Sequence, residues 1–147
     1  MIHKRTLYNC FGGIIINKSK EVLLVKPANC FGNYEYTFPK GRALSWELPV
    51  ETAIREVFEE SGVVVNKREI YALDGEYLGE SSINRYYLMK PEKLTNEFDW
   101  ETESIHWCSY DKAKELLSKS ISKIGRLRDL RVLDVAFNFH NEVRKTA

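Results

Sequence analysis

The sequence predicts an α/β sandwich, and three observations lead there. Segments rich in β-formers recur through the first three quarters of the chain. One amphipathic helix with an acidic outer face interrupts them, and two helical segments close the sequence.

Leu7 to Ile16 and Val22 to Val25 read as strands, with Asn17-Lys18-Ser19-Lys20 as a hairpin turn between them. Gly12-Gly13 inside the first strand marks a bulge or a close backbone approach. Asn29 to Asn33 reads as a loop, and Tyr34 to Phe38 as a short strand running into Pro39-Lys40-Gly41. A helix follows, because Val50, Ala53, Ile54, Val57, Phe58 and Ser61 recur at the spacing of a core-facing stripe. Pro49 suits its first position and Gly62 a left-handed C-terminal cap. Leu48 is a poor N-cap, so Ser45 or a backbone group is expected to satisfy the first turn.

Val63 to Leu73 is the next strand, ending at the Asp74-Gly75 turn. Glu76 to Leu78 and Ile83 to Met89 are strands around Gly79-Glu80-Ser81-Ser82; Pro91 to Asp99 is a polar loop, and Ile105 to Ser109 a short strand. Helices are expected from Asp111 to Ser118 and from Ile124 to Val143. In the last, Leu127, Leu130, Leu133 and Phe137 form a stripe that Val132, Val135 and Phe139 broaden, enough to dock on the sheet with spare surface for a dimer. Arg126, Arg128 and Arg131 of that helix are candidates to meet phosphates or RNA, but three cations within one helix are usually a solvated face.

With 147 residues the chain is expected to be one domain, 1–147, with a sizeable core. Lys and Arg total 22 against 21 Asp and Glu, so no bulk attraction to nucleic acid or membrane is implied. No apolar run reaches membrane-spanning length and Met1-Ile2-His3-Lys4-Arg5-Thr6 carries no signal-peptide core, so a cytoplasmic monomer or homodimer is expected. Cys10, Cys30 and Cys108 are scattered and read as buried thiols of a reducing compartment; His3, His106 and His140 form no ligand cluster.

The chemistry concentrates on the outer face of the first helix. Glu56, Glu59 and Glu60 stand at i, i+3 and i+4, with side chains about 5–6 Å apart. Each close pair would repel by about 3 kcal/mol at an effective dielectric near 20. A hard divalent cation among the oxygens relieves that repulsion. The stretch therefore reads as a metal site, flanked by Arg55 and preceded by Gly41 and Glu47.

At these residues the chain resembles the Nudix hydrolase family, whose signature is G-x5-E-x7-R-E-U-x-E-E-x-G-U with U apolar. Gly41, Glu47, Arg55, Glu56, Glu59, Glu60 and Gly62 fill the fixed positions, and Val57 and Val63 the apolar ones. A merely solvated acidic helix would explain neither Gly41 and Glu47 nor Arg55. The resemblance implies a Nudix-type α/β/α sandwich with a mixed β-sheet. It also implies hydrolysis of a nucleoside diphosphate linked to another moiety, by water attack on phosphorus with bound Mg²⁺; Mn²⁺ suits the same oxygen ligands.

By the same resemblance Glu59 and Glu60 bind metal, Glu56 binds metal or helps deprotonate water, and Lys40 lends its backbone carbonyl. Arg55 pairs with Glu47 or an adjacent carboxylate. A further acidic ligand or base often lies downstream in this family. Glu101 and Glu103 are the candidates, with a slight preference for Glu101.

Phe38-Pro39-Lys40-Gly41-Arg42 resembles the entry seen in members acting on dinucleoside polyphosphates or inositol pyrophosphates, and Lys40 and Arg42 suit a long polyanion. The tyrosine that dinucleoside-polyphosphate members often carry is missing from positions 79 to 81, which are Gly-Glu-Ser. The proline marking many ADP-ribose enzymes is missing too. Tyr34 and Tyr86 are candidate base platforms. The expected substrate is a nucleotide or dinucleotide resembling a diadenosine polyphosphate. ADP-ribose or a nucleotide sugar, an oxidised nucleoside triphosphate, an RNA 5′ end, and a non-catalytic nucleotide-sensing module are the alternatives.

Overall fold

The computed structural model describes residues 7–145. Seven strands, β1 (Tyr8–Ile15), β2 (Val22–Pro27), β3 (Lys40–Arg42), β4 (Val63–Ala72), β5 (Tyr77–Leu78), β6 (Ser82–Leu94) and β7 (Thr102–Cys108), form two sheets. The larger runs β3-β1-β6-β4 with β5 paired to β6, and the smaller pairs β2 with β7. β1 and β6 are parallel and the other ladders antiparallel, so the sheet is mixed. Three α-helices, α1 (Pro49–Ser61), α2 (Tyr110–Leu117) and α3 (Lys123–Lys145), cover the faces.

The period-2 alternation of the strands decides which face each residue joins. Ile14, Leu24, Tyr86 and Leu88 pack with α2 and α3, whereas Phe11, Ile15, Leu23 and Met89 pack with Ala53 and Val57 of α1. The result is helix, sheet, helix. None of the described helices is long and apolar enough to cross a membrane.

Helix α1 starts and stops where proline and glycine place it. Gly62 has φ 71° and donates its N–H to the Phe58 carbonyl at 2.8 Å. At the other end no side chain of Leu48 caps the helix. The Glu51 carboxylate accepts from Leu48 N–H at 2.8 Å, and the Leu48 carbonyl accepts from Thr52 N–H at 3.1 Å. The buried stripe is narrower than expected: Phe58 is 43% exposed, while Thr52 is wholly buried.

Four other expectations are corrected. Tyr34–Phe38 is not a strand; only Thr37 bridges to Val25, and the strand comes later, at Lys40–Arg42. Pro39 lacks an N–H, so regular pairing with β1 resumes at Lys40, opposite Gly12. Residues 28–33 form a 3₁₀ turn in which Cys30 is only half-buried, whereas Cys10 and Cys108 are buried. β6 runs on through Pro91 to Leu94, because its β1 partner ends opposite Met89 and no donor is required of Pro91 on that side. In α3, Leu127 is 55% exposed and Arg128 and Asp129 are buried instead.

The Gly12-Gly13 pair proves to be a close approach. A Cβ at Gly12 would strike the Pro39 carbonyl and Lys40, which draws the 39–42 segment against β1.

Candidate active site

Helix α1 and the 39–48 segment build the site around Arg55. Its Nε donates to Glu47 Oε2 at 2.6 Å and its Nη2 to Glu47 Oε1 at 3.0 Å, a bidentate pair. Nη1 donates to Glu56 at 2.9 Å and to Glu59 at 3.1 Å, and Nη2 also reaches the Arg42 carbonyl at 3.1 Å. One guanidinium therefore ties the loop to three carboxylates. Hydrogen bonds from Arg55 and from Leu44 N–H hold Glu47 well below the ordinary carboxylate value, at about 2.

Glu56 and Glu60 behave in the opposite way. Burial pushes Glu56 above the ordinary value of 4.5, and pushes Glu60 well above it. For Glu60 the neighbouring Glu56 charge adds to the effect of burial, while the Lys40 ammonium opposes it. Glu60 also accepts from Lys40 N–H at 2.9 Å. Gly41 makes this arrangement fit, since a Cβ there would overlap the Glu56 carboxyl group. Burial, with Arg128 nearby, lowers the Lys40 ammonium to about 8.

A divalent cation suits the Glu56–Glu60 pair, because it offsets the repulsion of two crowded carboxylates that burial has removed from water. Among the described residues no group of three or more His, Cys, Asp or Glu converges as a finished cage. Glu59 is engaged by Arg55 and stands outside the cavity lining. Lys40, whose carbonyl is the other expected donor, lies in β3 in register with Gly12.

Beside Glu60 opens a cavity of about 320 Å³, lined among others by Lys40, Arg42, Tyr34, Glu101 and Arg128. Five of the residues picked from sequence thus share one space. Glu101 faces the cavity and Glu103 does not; Glu103 pairs with Lys26 at 3.3 Å. The irregularity at Lys26/Pro27 explains the split, since it breaks the register that would have put both acids on one side. Tyr86 is a correction: it is 1% exposed and packs edge-on to Phe38 and Tyr77 in the core, with no ring face open to a base. Arg128, read as solvated, lies in the cavity wall; its helical spacing to Val132, one turn on, was the available signal.

A mixed sheet between helices, with a glycine-led loop feeding an Arg-Glu-rich helix, defines the class. The family model for the NUDIX domain matches residues 7–127, and the chain belongs to the Nudix family; it is a Nudix hydrolase. In fold it is similar to a NUDIX hydrolase from Nitrosomonas europaea, with a TM-score of 0.69 at 21% identity, over 91% of this chain and 74% of that one. It is similar also to an Ap4A hydrolase from C. elegans, with a TM-score of 0.68 at 20% identity, over 92% of this chain and 99% of that one.

Proposed function

We propose that the protein is a cytoplasmic, Mg²⁺-dependent pyrophosphohydrolase of dinucleoside polyphosphates, with diadenosine tetraphosphate as the representative substrate and Mn²⁺ as an acceptable metal. The observation that carries this reading is the presence of Lys40, Arg42 and Arg128 in the same cavity as Glu60. Three cations suit a run of phosphates better than a diphosphate joined to a neutral sugar. A fold relative named for Ap4A hydrolysis supports the reading too.

In this mechanism Glu56 and Glu60 would hold the metal, which when bound would activate water and neutralise phosphoryl charge. Arg55 fixes Glu47, Glu56 and Glu59 in place, so the donor oxygens are oriented before substrate arrives. Glu101, which lines the same cavity as Glu60, is the residue proposed to take the proton of the attacking water. Lys40 and Arg42 bind phosphate oxygens, and Tyr34 offers its ring to a base.

The test is hydrolysis of a panel in Mg²⁺: diadenosine tetraphosphate, ADP-ribose, oxidised nucleoside triphosphates and 5′-triphosphate RNA, with products separated by anion exchange. ATP plus AMP from the first compound is expected. Preferential cleavage of any other member replaces the substrate and keeps the chemistry.

A further inference from the structure

We infer that Arg128, from α3, is a phosphate-anchoring residue of the cavity and forms an anion subsite separate from the carboxylates of α1. The inference deepens the reading above, on which it relies only for the nature of the bound anion.

The argument begins with an unmatched donor. Arg128 is 4% exposed, yet it is one of the residues that line the cavity. Its Nε donates to Asp129 Oδ1 at 2.9 Å, while its buried Nη2 has no hydrogen-bond partner. Leaving a buried donor unpaired is costly, more so when it is charged, and such groups are rare in native interiors. A guanidinium in the wall of a cavity, with one nitrogen unpaired, keeps hydrogen-bonding capacity for an anion that enters.

The surroundings indicate an anion. Asp129 is itself buried and its second oxygen accepts from Thr37 Oγ1 at 2.7 Å, so it fixes the guanidinium through Nε alone and leaves Nη2 unengaged. The Tyr34 ring has the Arg128 guanidinium 5.1 Å from its centroid and the Lys40 ammonium 5.0 Å from it. Two cations gathered about one ring favour a negative guest over a neutral one. Lys40 links the two ends of the cavity, since its N–H is bonded to Glu60. A chain of phosphates with its scissile group at Glu60 would therefore carry further phosphate oxygens toward Arg128. The alternative, an Arg128–Asp129 pair that is purely structural, gives no use to Nη2.

The test uses inorganic tripolyphosphate, titrated calorimetrically into metal-stripped protein in metal-free buffer. The wild type is expected to bind it. The double variant Arg128→Gln with Asp129→Asn removes both buried charges together and keeps an acceptor for Thr37; it should bind at least tenfold more weakly while melting cooperatively. If that variant fails to fold, Arg128→Lys keeps a charge for Asp129 but loses the second donor nitrogen, and a loss of at least fivefold is expected. Wild-type protein that ignores tripolyphosphate, or a folded variant that binds it as well as wild type, overturns the inference. Binding without cleavage of diadenosine tetraphosphate would instead leave the subsite standing and remove the substrate proposed above.

Discussion

Arg55 grips Glu47 through two nitrogens, with Nε 2.6 Å from Oε2 and Nη2 3.0 Å from Oε1. The contact joins residues eight apart in sequence and pins the loop that carries Gly41 onto the helix that carries Glu56 and Glu60. Its geometry needs a planar fork. Arg55→Lys is therefore expected to lower kcat/KM about 10–100-fold, the usual cost of losing a group that orients metal ligands. Activity within twofold of wild type would show that the fork is dispensable.

The same pair sets a limit at low pH. A carboxylate held at about 2 against an ordinary 4.5 contributes stability that is present above 4.5 and lost as pH falls toward 2. Glu47→Gln lacks that contribution. Thermal melts of both proteins should be furthest apart near neutral pH and converge on acidification. A gap that stays constant down to pH 2 would mean that Glu47 is not ion-paired in the folded state.

Much of this geometry was legible in the sequence, and the exceptions share a physical cause. The first helix was readable because Pro49, Gly62 and the Ala53–Val57 spacing all agree. Strand β6 ran past its expected end because a proline is tolerated wherever no neighbouring strand asks for its N–H, and that depends on where β1 stops. Tyr86 is core because it alternates with Leu88 toward α3, a partner that no local pattern names. Arg128 is buried beside Asp129, which offsets its charge, so charge alone misplaced it. Tertiary pairing, invisible to local periodicity, decided each case.

Gly41 is predicted to be needed for space. Among the described glycines, positive φ occurs only at Gly62 and Gly75, so Gly41→Ala introduces no backbone strain. Its Cβ would nevertheless overlap the Glu56 carboxyl group. The Mg²⁺ concentration for half-maximal activity should rise about tenfold or more, as for other displaced ligand supports, with a small change in Tm. An unaltered Mg²⁺ dependence would show that Glu56 can move without consequence.

Glu60→Gln separates the cost of the site to the fold from its value to function. Burial raises Glu60 well above 4.5, so between 4.5 and that raised value the folded protein holds more protons than the unfolded chain. Stability then falls as pH rises through this interval, and at neutral pH the metal-free wild type carries the penalty of a buried, crowded carboxylate. Glutamine cannot ionise, and its amide oxygen can still accept from Lys40 N–H. The metal-free variant should therefore melt higher than wild type at pH 7–8, by about 2–4 °C for each kcal/mol recovered, and its Tm should vary less with pH. Mg²⁺ should raise the Tm of the wild type and leave the variant nearly unmoved, while turnover of the variant drops at least about a hundredfold, equivalent to about 2.7 kcal/mol of transition-state stabilisation. Differential scanning fluorimetry with and without Mg²⁺ reads the first three effects and hydrolysis the last. A variant less stable than wild type without metal, yet still stabilised by Mg²⁺, would place the cation on other residues.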